Sequence, residues 1–126
     1  MSKLAKVVHV LMGLSFVVFG LNGFLNFIPQ PPLPEGPALA FMTGLTQSVY
    51  FFPLLKLTEI VCGLALLTGF FVPLALVVLA PVILNIILFH IFLAPSGLAI
   101  GIVLAAMGIY LAKIHRSSFA PLLKAA

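Results

Sequence analysis

The stretch LALVVLAPVILNIILFHIFL, residues 74–93, decides the fold of this 126-residue chain. It holds no Asp, Glu, Lys or Arg, and as an α-helix it would be about 30 Å long, the thickness of the hydrocarbon core of a bilayer. A soluble domain carries roughly 25% charged residues, whereas this chain carries 6% and is 63% hydrophobic. We therefore predict a transmembrane helix here and a lipid environment for most of the chain.

Three further apolar runs flank this stretch, at residues 7–28, 54–72 and 97–113. Each is close to the length of about 20 residues that a helix needs to cross a membrane. The predicted fold class is all-α, an integral membrane four-helix bundle with an up-down arrangement, because short connections make sequential helices antiparallel neighbours. The length suits one domain, so residues 1–126 are predicted to form a single transmembrane domain.

The longest connection, residues 29–53, separates the first two spans. It opens with a proline-rich segment, which favours an extended backbone. Within residues 37–49, apolar side chains then recur at helical spacing, at Leu39, Met42 and Leu45. This pattern predicts a short amphipathic extracytoplasmic helix between the first two spans. An irregular loop is the alternative.

The positive charges predict the orientation in the membrane. The net charge is +4, and five of the six Lys and Arg residues lie in the two terminal tails. Such residues mark the cytoplasmic side of a membrane protein, so both termini are predicted to be cytoplasmic. Nucleic-acid-binding proteins cluster basic residues on one face; here they flank apolar runs, so we expect the lipid bilayer and no nucleic acid as partner. The five residues are Lys3, Lys6, Lys113, Arg116 and Lys124.

Six polar side chains within or beside the apolar runs form the candidate site. Polar groups are costly in hydrocarbon, so they mark either contacts between helices or function. From the helical rise per residue, they fall in the outer half of the membrane or near its midplane, beneath the long loop. Glu59 is the candidate for proton handling, because a carboxyl group at that depth must be paired or protonated. The predicted ligand-binding residues are Asn22, Asn26, Lys56, Glu59, Asn85 and His90.

Each candidate residue also has a structural explanation. Lys56 could pair with Glu59 at i+3 or extend to the headgroups, the asparagines could hydrogen-bond between helices, and His90 could be a core histidine. No catalytic motif is present, which leaves enzymatic activity open. No metal is predicted, because His90 and Glu59 provide too few ligands. Cys62 is the single cysteine, which excludes an internal disulfide.

Small residues recur every three or four positions in the last apolar run. They allow the backbone of another helix to approach closely. They either pack inside the bundle or form the seam of a homo-oligomer. The residues are Gly97, Gly101, Ala105 and Gly108.

Three segments of the spans carry a family resemblance. They are FGLNGFLNFIP at residues 19–29, EIVCGLALLTG with FVPLAL at residues 59–69 and 71–76, and LAPVILNIILFHIFL at residues 79–93. In their order and spacing, these segments resemble the DoxX family. Together with the closing Ser118-Phe119 region, the likeness covers most of the chain.

The resemblance implies a small bacterial inner-membrane protein of four helices. Relatives such as the DoxD subunit belong to thiosulfate:quinone oxidoreductase, and others are linked with sulfurtransferase and superoxide dismutase in membrane oxidoreductase assemblies. The resemblance also implies that Asn22, Glu59, Asn85 and His90 are family residues. Gly23 departs from the pattern, because many relatives carry a lysine at that position.

From the polar residues and the resemblance, we expect a membrane subunit of a redox assembly that binds a small lipophilic ligand, such as a quinone, in the outer half of the bundle. Apolar sites with a few convergent polar groups bind ligands of this kind, and Glu59 and His90 could exchange protons with a quinone. Its expected protein partner is a redox protein or a second copy. Two alternatives stay open: a structural or assembly partner, and a transporter of protons or small solutes.

Overall fold

The computed structural model describes residues 2–29 and 32–125. This part of the chain contains helices and no strand, and four of its helices are long and apolar enough to cross a membrane. The predicted all-α class with four candidate spans is therefore confirmed. The helices are α1 (Lys3–Leu25), α2 (Pro37–Gln47), α3 (Phe51–Thr68), α4 (Val72–Phe92), α5 (Leu98–Ile114) and α6 (Arg116–Phe119), with 3-10 turns at Pro95–Gly97 and Ala120–Leu123.

Capping residues, rather than the limits of the apolar runs, mark both ends of α1 and the end of α3. α1 starts at Lys3 because Ser2 Oγ accepts a hydrogen bond from the Ala5 N–H at 3.1 Å. It ends before Asn26, whose φ of 51° is left-handed. α3 ends before Gly69, which has a φ of 80°, a conformation that glycine adopts without steric cost. The limits of the first two spans differ from the prediction by three or four residues.

A short helix, α2, lies between the first two spans, where a helix was expected. Its first residue is Pro37, and proline suits a helix start because the N–H it lacks would have no partner there. The ring of Phe41 lies 5.5 Å from that of Phe89, so α2 covers part of the C-terminal end of α4. The proline-rich segment before α2 includes Gln30 and Pro31, which lie outside the described residues. The side of the membrane on which α2 lies stays a prediction.

The α1–α3 pair packs backbone to backbone through glycines. A Cβ placed on Gly20 would stand 3.0 Å from the carbonyl oxygen of Lys56 and 2.6 Å from Ile60 Cγ1. Gly13 and Gly63 make a similarly close contact further along the same pair. Glycine at these positions lets the two helices approach more closely than larger residues permit. Because Gly20 meets Lys56 and Gly13 meets Gly63, α1 and α3 run in opposite directions.

The interior of the bundle is an apolar cluster to which all four spans contribute. α1 contacts α3 and α5, α4 contacts α3 and α5, and the cluster lies between them. Close packing of such side chains is the main source of association between helices in lipid, where no hydrophobic effect favours it. The largest fully buried side chains are Met12, Phe16, Leu66, Leu79 and Leu111.

The predicted small-residue face lies against its own chain at three positions, one of which is Gly97, just before α5. A Cβ on Gly101 would stand 3.4 Å from Ile87 Cγ1 of α4, and one on Gly108 would stand 3.5 Å from Met12 Cε of α1. These are ordinary van der Waals distances, so both positions have room for an alanine. The sequence pattern did not single out the tight glycine contacts between α1 and α3, whereas it did include Gly97, which is in tight contact with His90.

Candidate functional site

Lys56 and Glu59 form an ion pair in the first half of α3, with Lys56 Nζ 3.5 Å from Glu59 Oε1. Their i,i+3 spacing puts both side chains on one face of the helix. Glu59 is 4% exposed, and the Lys56 side chain is 19% exposed. Lys56 Nζ also lies 5.4 Å from the centre of the Phe52 ring, whose π electrons attract a cation. Glu59 is thus buried and Lys56 is partly buried, with each charge facing its partner.

The C-terminal end of α1 supplies the surface on which Lys56 lies. A Cβ placed on Gly23 would stand 2.5 Å from Lys56 Cγ and 2.6 Å from its Cδ. The space that a side chain at position 23 would fill is therefore occupied by the lysine stem. Buried stems with a polar tip are typical of lysine near the end of a span. Gly23, which has no side chain, therefore accommodates Lys56.

Asn22 and Asn26 both act at the end of α1. Asn22 is buried, and its Oδ1 accepts a hydrogen bond from the backbone N–H of Ile28 at 2.8 Å. The N–H of Asn26 donates to the carbonyl oxygen of Asn22 at 2.8 Å, and its own side chain is exposed. The Asn22 side chain therefore holds the backbone just after the end of α1, where backbone groups lack helical hydrogen-bond partners.

His90 is partly buried near the end of α4, and its Nδ1–H donates to the carbonyl oxygen of Ile86 at 2.8 Å. This bond assigns the proton to Nδ1, because a carbonyl oxygen only accepts. The ring packs edge-to-face on Phe89, with centroids 5.2 Å apart. On another side it meets Gly97, where a Cβ would collide with the imidazole. The atoms in the way are Nε2 and Cδ2, so this edge of the His90 ring packs against Gly97.

Asn85 lies on the exposed surface of α4, away from the apolar interior. The buried residues of this helix, such as Leu79 and Ile83, occupy the opposite side. Among the hydrogen bonds of the described residues, none involves the Asn85 side chain. The residue therefore faces the surroundings of the bundle rather than its core.

The described contacts bring together some of the six predicted residues and not others. Lys56 and Glu59 pair directly, and Gly23, next to Asn22 in α1, packs on Lys56. No hydrogen bond between described residues joins Glu59 to His90 or to Asn85. The gathering of all six around one ligand stays a prediction.

Two apolar grooves run along the bundle. One of about 390 Å³ lies between α3 and α4 and is lined by Thr58, Cys62 and Val78 among others. A second of about 400 Å³ lies between α4 and α5 and reaches Phe119. None of the six predicted site residues lines either groove. Apolar grooves of this size accommodate hydrocarbon chains.

Comparison with protein-family models, with curated proteins and with solved structures gave no match for this chain. The DoxX resemblance therefore stays a prediction. The site has to be judged on its own geometry.

A second polar contact, missed at the sequence level, lies where α1 begins and α5 ends. His115 Nε2 is 3.3 Å from His9 Nε2, and His9 Nδ1 is 3.4 Å from the carbonyl oxygen of Leu66. Because that carbonyl only accepts, His9 carries its proton on Nδ1, and the His115 Nε2–H donates to His9. His9 is 6% exposed. No local sequence pattern predicts a contact between residues so distant along the chain.

Proposed function

We propose that the protein is a multi-pass protein of a bacterial inner membrane, an up-down bundle with both termini in the cytoplasm and α2 on the other side. The contact between His9 and His115 supports one part of this proposal, because it brings the start of α1 and the end of α5 together. Lys3, Lys6 and Lys113 lie at that same end. An excess of lysine and arginine marks the cytoplasmic side.

We further propose that the chain binds a small lipophilic ligand, with a quinone as the favoured class, and serves as a membrane subunit of a redox assembly. The observation that supports this most is the buried Lys56–Glu59 pair. The chain has only two acidic residues, and one of them lies inside a span. Ionisable groups at such positions are costly and are retained mostly where they bind or transfer something.

The ion pair offers the chemistry that a quinone needs. The ammonium of Lys56 donates hydrogen bonds, which suits a quinone carbonyl oxygen, and the carboxylate of Glu59 accepts them, which suits a quinol hydroxyl. A carboxylate within hydrogen-bond reach of that hydroxyl is also placed to take its proton. The apolar grooves along α3, α4 and α5 provide surfaces for a hydrocarbon tail. Asn85 has no part in this proposal, because it lies on the exposed side of α4.

Titration of the protein in lipid nanodiscs with a short-tailed benzoquinone, followed by calorimetry, tests the proposal. We expect Glu59→Gln to weaken binding at least tenfold, because the amide no longer accepts as a carboxylate does. Glu35→Gln is the matched control, since Glu35 is exposed in the loop before α2. Far-UV circular dichroism of each variant separates lost binding from lost folding. Binding that is unchanged in both Glu59→Gln and His90→Ala would rule out the site.

A structural or assembly role is the second candidate. It is favoured by the use of Asn22 and His90, which hydrogen-bond backbone atoms of their own helices or helix ends. Side-chain groups that bond the backbone in this way stabilise the bundle and are not available to bind a ligand. Native mass spectrometry from membrane extracts distinguishes the two: a stoichiometric protein partner without any small molecule favours assembly.

Transport of protons or small solutes is the third candidate. It requires polar groups towards both ends of the bundle, and the buried His9 supplies one at the end opposite Glu59. Proteoliposomes loaded with a pH-sensitive dye test this candidate. A proton flux that is lost in Glu59→Gln would rank transport above ligand binding.

A further inference from the structure

The exposed position of Asn85 is the feature that the proposed function does not explain. It lies in α4, Val72–Phe92, about 4.5 Å along the axis from the helix midpoint. If α4 spans the membrane, this amide is close to the centre of the hydrocarbon layer. Its neighbours one turn away on the same side, Pro81 and Leu88, are also exposed. The amide therefore faces lipid in a single copy of the protein.

Lipid offers no hydrogen bonds to such a group. An asparagine side chain has two N–H donors and one carbonyl acceptor, and leaving them without partners in hydrocarbon is costly. Among the hydrogen bonds of the described residues, none involves this side chain. A partner from outside the chain would remove the cost.

On the same side of α4, Pro81 leaves one backbone carbonyl oxygen without its helical hydrogen-bond donor. Proline has no N–H, so the carbonyl oxygen of Val77, four residues earlier, loses its usual helical partner. Val77 is 44% exposed. Val77, Pro81 and Asn85 are spaced by four residues and form one stripe along the helix. This stripe thus combines a free side-chain amide with an interrupted backbone hydrogen bond.

We propose that this stripe is the contact between two copies of the chain, related by a two-fold axis along the membrane normal. Two observations favour a second copy as the occupant. An amide is complementary to itself, since each Asn85 can donate to and accept from the other, and the stripe carries no charge that would call for an opposite charge on a different partner. In addition, two copies inserted in the same orientation have Asn85 at the same depth, so the symmetry axis brings amide to amide.

This seam differs from the small-residue face of α5. Gly101 and Gly108 of that face lie against Ile87 and Met12 of the same chain. Substitution on α5 and substitution on α4 therefore separate the two possible seams. Asn85→Leu removes the amide, Asn85→Gln retains it, and Ala105→Leu enlarges a residue of the α5 face, which lines the groove between α4 and α5.

The test measures the monomer–dimer equilibrium of the full chain in bilayers, by energy transfer between labelled copies at increasing protein density. We expect the wild type to dimerise, Asn85→Leu to raise the dissociation constant about five- to thirtyfold, and Asn85→Gln and Ala105→Leu to remain close to wild type. Because position 85 is exposed, leucine there is compatible with the fold.

Cysteine crosslinking gives an independent readout in a Cys62→Ala background. Oxidation of Leu88→Cys, one turn from an intact Asn85 on the same exposed side of α4, is expected to give a disulfide-linked dimer, whereas Ile109→Cys, on an exposed position of α5, is expected to give none. A wild type that stays monomeric at every density, an Asn85→Leu variant that dimerises as well as wild type, or crosslinking to a different protein would each overturn the proposal.

Discussion

Gly13 of α1 and Gly63 of α3 face each other so closely that a Cβ on either residue would stand 2.8 Å from the carbonyl oxygen of the other. The atoms in the way belong to the backbone, which cannot turn aside as the end of a side chain can. A Cβ on Gly63 would also stand 2.8 Å from the backbone nitrogen of Val17. The spacing of α1 and α3 is therefore limited by main-chain contact at this point.

Gly13→Ala is expected to destabilise the protein by about 1–3 kcal/mol, the usual cost of overpacking. Elsewhere in a helix the same change stabilises by up to about 1 kcal/mol, so the sign of the effect identifies the contact. Gly44→Ala is the control, because a Cβ there meets no atom within 4 Å. The free energy of unfolding in mixed micelles measures both. A Gly13→Ala variant as stable as Gly44→Ala would show that α1 and α3 are further apart.

Removing Glu59 leaves the ammonium of Lys56, whose side chain is 19% exposed, without its partner inside the span. We expect Glu59→Leu to cost on the order of 3 kcal/mol, and the double variant Lys56→Met with Glu59→Leu to recover most of it, because no uncompensated charge remains. The same unfolding assay provides the double-mutant cycle. Additive losses in the two single variants would mean that the 3.5 Å contact contributes no coupling.

The contact between Gly97 and His90 predicts a rescue. Gly97→Ala should displace the imidazole from the Ile86 carbonyl oxygen and lower the melting temperature, because its Cβ collides with the ring. His90→Ala in the same chain removes the obstacle, so the double variant should be no less stable than His90→Ala alone. Gly101→Ala, one turn further along in α5 and with 3.4 Å to the nearest atom, serves as the control. If Gly97→Ala is neutral by itself, the ring is not confined there.

The His9–His115 contact predicts a dependence of stability on pH. Burial lowers the pKa of His115, and the neighbouring His9 lowers it further. The folded state therefore binds this proton less readily than the unfolded state, whose histidine pKa is about 6.5. The stability that neutral His115 contributes is fully present above the unfolded-state pKa. It is lost as the pH falls from that value towards the lower folded-state pKa.

We expect a lower melting temperature at pH 5.5 than at pH 7.5 in the wild type, and a smaller difference in His115→Gln. Lys113→Gln removes a nearby charge and leaves the His115 ring in place. It should therefore keep the wild-type difference in melting temperature between the two pH values. The same pH dependence in His115→Gln as in the wild type would assign the effect to other groups.

The four spans could be predicted from sequence because a long uncharged stretch in lipid must satisfy its backbone within a helix. Their limits could not, because Ser2 and Gly69 cap the helices through local geometry that hydropathy does not register. The Lys56–Glu59 pair was among the alternatives because an i,i+3 contact depends only on the helix.

Contacts between helices were harder to predict, because they depend on the rotation of each helix about its axis. α4 is apolar on all sides, so its sequence has no polar face that would reveal which side is buried. For this reason Asn85 was grouped with Glu59, although its side of α4 is exposed. The His9–His115 contact was missed for the same reason, since it joins two helices at opposite ends of the chain.

The unequal lengths of the two packed helices have a consequence for the membrane around them. α3 has 18 residues and is about 27 Å long, whereas α1 has 23 and is about 35 Å long. A bilayer becomes thinner beside a span that is shorter than its hydrocarbon layer, and a span that is longer than this layer tilts. The depth of Lys56 below the headgroups is therefore set partly by lipid chain length, and membranes with shorter acyl chains bring it closer to water.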